Sequence, residues 1–396
     1  MPLSYKLTTF FLIVSVAIFE AGTNILLPVL PTLQVFFETD VQTVQSTLSF
    51  YLLGFSLLGL FAGPLSDQLG RRTLILAGLI LFWFGSFLGF WCVSTSLDIL
   101  LFSRFLQGLG AGVCTVISIA IIRDLFDTLR AARMLSLMGM VTAVAPMVSP
   151  LLGGALAHFW HWTDIFLLMF LVACVLLMVF TFWGEESLYK TEPFQMKKLV
   201  AECRQVLRNK TSVGFILISS LAYGSLFAWI VQAPFFFQEH FFLSDIHYAF
   251  YAALGPAIYI FGSFTNYLFL PRYGILKLLS FGLILSFLGC MMLMLLITSH
   301  SADLWSYMCG FLFFNGGVSF VFANACAAAI DRAGDCRGTA SAILASSEQF
   351  FAAIAAFIVG FFPHQTLLPA ILLMTFSVLG AGFIYLKMDR GESLAL

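Results

Sequence analysis

Three charged side chains lie deep inside long apolar runs of this sequence: Glu20, Arg104 and Glu348. A charge at the centre of a bilayer costs about 2.5 to 3.5 kcal/mol on insertion scales, so such a group normally faces a cavity and has partners. A carboxyl group in that setting is able to exchange a proton, and an arginine is a permanent cation. We therefore predict that these three residues take part in proton coupling within the membrane.

Composition indicates that the apolar runs are membrane spans. Of the 396 residues, 61% are hydrophobic and 10% are charged, whereas soluble domains contain about 25% charged residues. Runs of the roughly 20 apolar residues that cross a bilayer recur from end to end. Backbone amides in hydrocarbon must be satisfied internally, and these runs are too long for barrel strands, so we predict α-helices.

Twelve spans are predicted, near 7–30, 43–66, 73–93, 97–122, 134–157, 164–183, 212–236, 248–270, 276–297, 303–329, 338–361 and 366–387. The first is interpreted as an uncleaved helix and not as a signal peptide. The longest polar break gives three predicted parts: a first half (1–183), a cytoplasmic linker (184–211) and a second half (212–396). The linker segment from Met196 to Lys210 is either a basic amphipathic helix on the membrane surface or a charged connection that holds topology.

Weak internal repeats favour two related six-helix halves. SDQLGRRTLIL after the second span is echoed by LPRYGILKLLS after the eighth, and IIRDLFDTLRAAR after the fourth by AIDRAGDCRGTA after the tenth. Such a design is typical of a transporter with a central site between its halves.

Basic residues set the predicted orientation. Eighteen of the nineteen Lys and Arg lie at the termini or in alternate breaks, and the other breaks contain acidic residues and all six histidines. The positive-inside rule then places both termini in the cytoplasm. The nineteenth basic residue is Arg104.

Several motifs resemble the major facilitator superfamily. GPLSDQLGRR (63–72) is similar to its signature loop, RFLQGLGAG (104–112) to its fourth-helix motif, and APMVSPLLGG (145–154) to its fifth-helix antiporter motif. That last segment and TNILLPVLP (23–31) resemble the Bcr/CflA drug:proton antiporter subfamily, as do FANACAAAI (322–330) and GTASAILASSEQF (338–350). Three positions depart from the pattern: Gln68 replaces a base, Asn24 an aspartate and Glu348 a glutamine.

The resemblance implies an all-α integral membrane fold of twelve transmembrane helices in two pseudo-symmetric halves. It implies proton-coupled export of small amphipathic drugs or metabolites across the inner membrane of a bacterium by alternating access. The alternative is a dedicated exporter or importer, by symport or facilitation, of one metabolite such as a siderophore. The expected partners are a small-molecule substrate, protons and the lipid bilayer, with no nucleic acid and no cofactor, and the chain is expected to be a monomer and not an enzyme.

Spacing places Glu20 and Asn24 on one face of the first span, and Arg104 and Gln107 on one face of the fourth. We interpret Glu20 as the proton carrier, with Arg104 as its expected partner. A fixed buried pair that only joins the two helices is the alternative.

Glu348 has two interpretations. It is either a second proton site or substrate counter-ion, or a glutamate satisfied by Ser346, Ser347 or backbone. Polar and aromatic residues of other spans are predicted to bind substrate together with Asn24 and Gln107. They are Tyr223, Gln232, Tyr259, Asn266 and Asn315.

Two further groups follow from the motifs. A cytoplasmic gate is predicted in which Asp67 attracts a helix N-terminus and the paired arginines bind acids such as Asp124 and Asp127; an ordinary tight turn is the alternative. Its predicted members are Gly63, Asp67, Gly70, Arg71, Arg72, Arg123 and Asp124. Pro146, Pro150, Gly153 and Gly154 bend and tighten the fifth span, which limits proton leak or serves close packing alone.

Other chemistry has little support. The eight cysteines show no C-x-x-C spacing, and no metal site is predicted. HFWHW (158–162) is interpreted as an interfacial aromatic turn, with a metal-binding or outer pH-sensing segment as the alternative. The sequence contains no P-loop, nucleophile elbow or dinucleotide fingerprint.

Overall fold

The computed structural model describes residues 3–91, 96–188, 196–298, 303–363 and 365–393. Lys190, His300 and His364, to which the sequence assigns a side of the membrane, lie outside these ranges. Within them the regular structure is helical, and two compact units are formed. One contains residues 1–39 and 46–196, and the other contains 40–45 and 197–396. The predicted three-part division at 183 and 211 remains a prediction.

The first unit contains the helices α1 to α7, apart from the first five residues of α3. Their bounds are α1 Leu3–Asn24, α2 Leu30–Phe36, α3 Val41–Leu69, α4 Arg71–Trp91, α5 Leu97–Leu125, α6 Thr128–Phe159 and α7 Asp164–Phe182. Helices α3 to α7 cover the predicted second to sixth spans.

The first span is broken, where the sequence predicts one continuous helix over 7–30. Helix α1 ends at Asn24, a 3-10 turn covers Leu27–Val29, and α2 then runs to Phe36. Pro28 lies in that turn, and proline lacks the amide hydrogen that a continuous helix would need there. The interruption leaves carbonyl groups of the last turn of α1 without their usual partners.

The second unit contains α8 to α13. Their bounds are α8 Met196–Arg208, α9 Lys210–His240, α10 Asp245–Thr298, α11 Leu304–Asp331, α12 Arg337–Gly360 and α13 Leu368–Ser393. The 54-residue α10 is two helices separated at Gly274, where the backbone has φ 75° and ψ 167°. These two parts are the predicted eighth and ninth spans, so the prediction of twelve spans is confirmed.

The two echoed loops share a backbone feature. Gly70 and Gly274 are the fifth residues of the two echoed segments, and both have positive φ, 90° and 75°. Only glycine adopts this conformation readily. Each of these glycines therefore permits a sharp turn between two consecutive spans.

The linker ends in a helix that packs within the second unit. On α8, Val206 is 1% exposed, and the Glu202 carboxylate accepts a hydrogen bond from the Thr339 hydroxyl of α12 at 2.6 Å. Asn209 follows and caps α9, since its Oδ1 accepts from the amides of Thr211 and Ser212 at 3.2 and 3.1 Å. This part of the linker is therefore helical, while its contact with the membrane surface remains a prediction.

Candidate functional site

Arg104 is held at the broken end of the first helix. Its side chain is 1% exposed, and Nη2 donates to the carbonyl oxygen of Gly22 at 2.8 Å. Gly22 belongs to the last turn of α1. Carbonyl groups there have no N–H donor within the helix, and this end of the helix dipole is negative. The guanidinium thus satisfies a carbonyl that the helix break leaves available.

Neutral groups complete the surroundings of this cation. Nη1 donates to Gln107 Oε1 at 2.7 Å, and the guanidinium carbon lies 4.3 Å from the centroid of the Tyr51 ring, a cation–π distance. The buried Nε has no hydrogen-bond partner in the described part of the chain. Buried charges are costly unless they are paired or hydrogen-bonded, so the Nε–H of Arg104 remains to be matched.

Tyr51 is a member of this site that the sequence analysis missed. A Cβ at Gly108 would lie 2.0 Å from the Tyr51 carbonyl oxygen, so only glycine lets α3 approach α5 this closely. The approach brings the tyrosine ring over Arg104, four residues earlier on α5. Its hydroxyl donates to the Phe19 carbonyl of α1 at 2.6 Å, so Tyr51 links three helices.

Gln107 is fixed by a buried network rather than left open toward a cavity. Its Nε2 donates to Ser86 Oγ at 2.8 Å and approaches the sulfur of Met169 at 3.4 Å. Ser86 in turn donates to the Phe82 carbonyl at 2.8 Å. The predicted substrate-binding role of Gln107 remains a prediction, and its observed contacts orient Arg104.

Glu20 lies on the same helix end but does not pair with Arg104 in this structure. It is half-buried, and its carboxyl group forms no ion pair or hydrogen bond with any described residue. Asn24 donates to the Glu20 backbone carbonyl at 3.4 Å, and not to its side chain. The alternative of a fixed Glu20–Arg104 ion pair is therefore not seen among the described residues, and the guanidinium instead donates to the Gly22 carbonyl and to Gln107.

The fifth-span motif packs against the same break. A Cβ at Gly153 would lie 1.8 Å from the carbonyl oxygen of Ile25, the first residue after α1. Gly154 and Pro150 are buried and Pro146 is half-buried, and α6 continues through both prolines. The motif therefore fits directly against the interrupted part of the first span.

The predicted cytoplasmic gate forms an ion-pair cluster within the first unit. Arg71 Nη1 lies 2.8 Å from Asp67, and its Nε lies 3.0 Å from Asp124. Arg71 also bonds to the hydroxyl of Ser66. The predicted pairing with Asp124 is thus present, whereas Asp127 instead caps α6 by accepting from the Arg130 amide at 2.9 Å.

Glu186 belongs to the same cluster around Arg71, and the sequence analysis missed it. Its two carboxylate oxygens accept from the backbone amides of Arg71 and Arg72 at 2.9 and 3.0 Å. A carboxylate at a helix N-terminus satisfies orphan amides and the positive end of the dipole. Gly70 is required beside it, since a Cβ there would lie 2.5 Å from Glu186 Oε2.

The other predicted gate residues have simpler places. Arg72 donates to the Thr181 carbonyl at 2.7 Å. Arg123 is exposed in the last turn of α5. Gly63 has open space around its Cβ position, with no atom within 4 Å.

Glu348 belongs to a cluster inside the second unit. Its Oε1 accepts from the Ser219 hydroxyl of α9 at 2.5 Å and from the Cys326 thiol of α11 at 3.3 Å. Ser219 and Glu348 are 0% and 8% exposed. Partners from two other helices therefore reach this carboxyl group, beyond the local serines that the sequence suggested.

The remaining predicted substrate residues of this unit have protein partners. Asn315 donates to the Gly255 carbonyl at 2.8 Å, and Asn266 accepts from Asn324 at 2.7 Å. Gln232 Nε2 donates to two carbonyls of the loop after α12, those of Pro363 and Thr366, at 2.9 and 3.0 Å.

Tyr223 and Tyr259, also predicted to bind substrate, are half-buried around the ring of Phe322. Their ring centroids lie 5.7 and 6.3 Å from that of Phe322. Their substrate contacts remain predictions.

Among the described residues, no group of three or more His, Cys, Asp or Glu is placed to hold a metal ion. In the HFWHW segment, His161 Nδ1 contacts the Thr163 hydroxyl at 2.8 Å within a turn.

Known proteins with similar sequences identify the family. The model of the Major Facilitator Superfamily matches residues 12–356. The chain is 26% identical to a bicyclomycin resistance protein homolog of Haemophilus influenzae, over 89% of this chain and 88% of the relative. It is 30% identical to the multidrug resistance protein MdtL of Salmonella paratyphi C, over 68% of this chain and 69% of the relative.

Solved structures agree on the fold. A bacterial homolog of the human lysosomal transporter Spinster, in an inward-facing and unoccupied conformation, has a TM-score of 0.78 at 15% identity, over 98% of this chain and 97% of that one. A D-xylose-proton symporter has a TM-score of 0.75 at 15% identity, over 95% and 97%. The chain belongs to the Major Facilitator Superfamily, and the predicted resemblance is confirmed. It is an integral membrane transport protein.

Gly153→Ala tests the contact between the antiporter motif and the helix break. The added methyl group would collide with the Ile25 carbonyl, and overpacking of this kind costs about 1–3 kcal/mol. We expect a lower melting temperature of the purified protein and reduced transport. Gly139→Ala on the same helix is the control, since its Cβ position is open; equal melting temperatures for the two variants would contradict the packing seen here.

Glu186→Gln tests the cap on α4. The amide keeps one acceptor oxygen but loses the charge, and for this exposed group we expect a loss of about 0.5–1 kcal/mol in unfolding free energy. Thermal unfolding in detergent measures it. Glu185→Gln removes the same charge one residue earlier, and the cap is disproved if that variant loses as much stability.

Proposed function

We propose that this protein is a proton-coupled secondary transporter that exports small amphipathic molecules across the bacterial inner membrane by alternating access. It acts as a monomer and is not an enzyme. The names of the bicyclomycin resistance and multidrug resistance relatives support efflux. The observation that carries the coupling mechanism is the position of Arg104. Its guanidinium contacts the carbonyl oxygen of Gly22, which lies two residues after Glu20 on α1.

Glu20 is the proposed proton carrier. A half-buried carboxylate in an apolar span is costly unless it is protonated or paired with a cation. In the arrangement described here its carboxyl group has no partner, which fits the protonated and therefore neutral form. Proton loss would create a charge that is stabilised by the nearest buried cation, Arg104.

Arg104 has the properties that such a switch needs. Its present partners are neutral, and its Nε is unmatched in the described structure. A carboxylate forms stronger, charge-assisted hydrogen bonds with a guanidinium than a carbonyl or an amide does. Deprotonated Glu20 would therefore compete with the Gly22 carbonyl for Arg104 and change the contacts at the end of α1.

This exchange of partners at Arg104 would link protonation of Glu20 to the contacts at the end of α1. Because Gly153 holds the break after α1 against α6, movement of this segment would be transmitted to the fifth-span motif. A substrate that binds next to Glu20 would meet a different charge pattern in the two protonation states. Proton binding and substrate binding would then alternate, as export against a proton gradient requires.

The cytoplasmic cluster supports the same cycle in a mechanical role. Glu186, Asp67 and Asp124 bind Arg71 and the start of α4, so ion pairs and hydrogen bonds join the elements at this end of the first unit. We propose that it serves as the gate on the cytoplasmic side, with Gly70 as its turning point.

Glu20→Gln tests the proton carrier. The amide imitates the protonated carboxyl group and cannot release a proton, so proton-driven flux should fall to the level of empty liposomes. The measurement is uptake of bicyclomycin, the first candidate substrate, into proteoliposomes or everted vesicles under an imposed proton gradient. Glu38→Gln, the same substitution at an exposed acid after α2, is the control.

Three results would contradict the proposal. Gradient-driven uptake that persists in a folded Glu20→Gln variant would exclude Glu20 as the carrier. Uptake by intact cells without accumulation in everted vesicles would establish import. Retention of one endogenous metabolite in a deletion strain, with unchanged drug sensitivity, would indicate a dedicated exporter.

A further inference from the structure

Helices α9 and α11 face each other through a two-step ladder of side chains. Ser219 and Tyr223 lie one turn apart on α9, and Phe322 and Cys326 lie one turn apart on α11. Ser219 Oγ lies 3.3 Å from Cys326 Sγ, and the ring centroids of Tyr223 and Phe322 lie 5.7 Å apart. Polar contact thus changes to aromatic contact within about 6 Å along the helix axis.

The third helix supplies an acid at the polar step. Glu348 Oε1 accepts from both Ser219 and Cys326, at 2.5 and 3.3 Å. Two donors converge on one carboxyl oxygen, an arrangement that stabilises negative charge. No Lys or Arg occurs between Lys210 and Arg272 or between Arg337 and Lys387 in the sequence, so the spans on either side of this acid are free of basic residues.

The next residue of α12 supplies a second acceptor, and its side chain contacts the same helix, α9. Gln349 Nε2 donates one of its two hydrogens to the Tyr223 hydroxyl at 3.4 Å. Its Oε1 is buried and has no hydrogen-bond partner among the described residues. A buried carbonyl without a partner is destabilising, and a ligand with an N–H group would satisfy it.

The accessible members of the cluster are three aromatic residues and one cysteine. Tyr223, Phe322 and Cys326 are half-buried, as is Tyr259, whose ring centroid lies 6.3 Å from that of Phe322. Aromatic faces attract cations, and the attraction is stronger where water is excluded. A carboxylate, an amide oxygen and several ring faces are together complementary to one chemical group.

We propose that this cluster is a binding site for protonated amines, formed by Glu348, Gln349 and the rings of Tyr223, Tyr259 and Phe322. The ammonium group lies against the two acceptors, and the apolar part of the amine packs on the rings. The inference deepens the proposed function and rests on it, because it adds a substrate class, amphipathic amines, that the second unit would bind besides uncharged candidates such as bicyclomycin. Glu348 is then a substrate counter-ion, whereas proton exchange belongs to Glu20.

Cys326 provides the readout, since its sulfur lies 3.3 Å from the carboxyl oxygen. The full-length protein in proteoliposomes is alkylated with N-ethylmaleimide, and peptide mass spectrometry follows the rate at Cys326. The probe is 4-phenylbutylamine, and its uncharged counterpart 4-phenylbutanol is the control ligand. Exposed Cys309 on the same helix is the internal control for reagent access.

In the unmodified chain, the amine should slow alkylation of Cys326 at concentrations at which the alcohol has no effect, with Cys309 unchanged in both cases. In Glu348→Gln, the amine concentration needed for protection should rise about tenfold, the effect of losing one charge-assisted contact. Glu239→Gln, the same substitution near the end of α9, should leave protection unchanged.

Equal protection by the alcohol, or undiminished protection in folded Glu348→Gln, would overturn the proposal. Absence of any amine effect on Cys326 would overturn it as well. If Glu348→Gln does not fold, the proposal is still tested by comparing how the amine and the alcohol protect Cys326 in the unmodified chain. The assay needs no proton gradient, so it is independent of the Glu20 experiment: either proposal can fail while the other stands.

Discussion

The contact between Arg104 and the end of α1 organises the first unit. A guanidinium in hydrocarbon needs acceptors, and a helix that stops in the membrane has carbonyl groups that need donors. Each defect is costly alone, and the 2.8 Å contact between Nη2 and the Gly22 carbonyl offsets both. The arginine and the helix break therefore depend on each other, and neither is understood from its own helix.

Two glycines make this arrangement possible by removing volume. Gly108 brings the Tyr51 backbone against α5, and Gly153 brings Ile25 against α6. The first contact positions the Tyr51 ring over the cation, and the second packs against the helix break. A bilayer gives little hydrophobic driving force between helices, so close backbone approach of this kind is a main source of their association. Small residues here determine where the charged group lies.

The sequence was sufficient for the twelve spans, the family and the identity of the buried charges, since these follow from hydropathy, charge and local motifs. It also located the Arg71–Asp124 pair, because both residues lie in polar breaks that are predicted to share one side of the membrane. It failed at the first span, where apolar content hid the break, although Pro28 and Pro31 were a signal. It also missed Tyr51, Glu186 and the pairing of Glu348 with Ser219. Those contacts join residues 32 to 129 positions apart, and no local pattern records them.

The cap on α4 has a consequence for biosynthesis. The amides of Arg71 and Arg72 are satisfied by Glu186, which is 115 and 114 residues further along the chain. During translation the loop after α3 is synthesised long before Glu186. Until then the amides of Arg71 and Arg72 need another acceptor, such as water, while α4 to α7 are inserted. Completion of this loop therefore coincides with completion of the first unit. The carboxylate that caps α4 thus becomes available only after the first six spans have been synthesised.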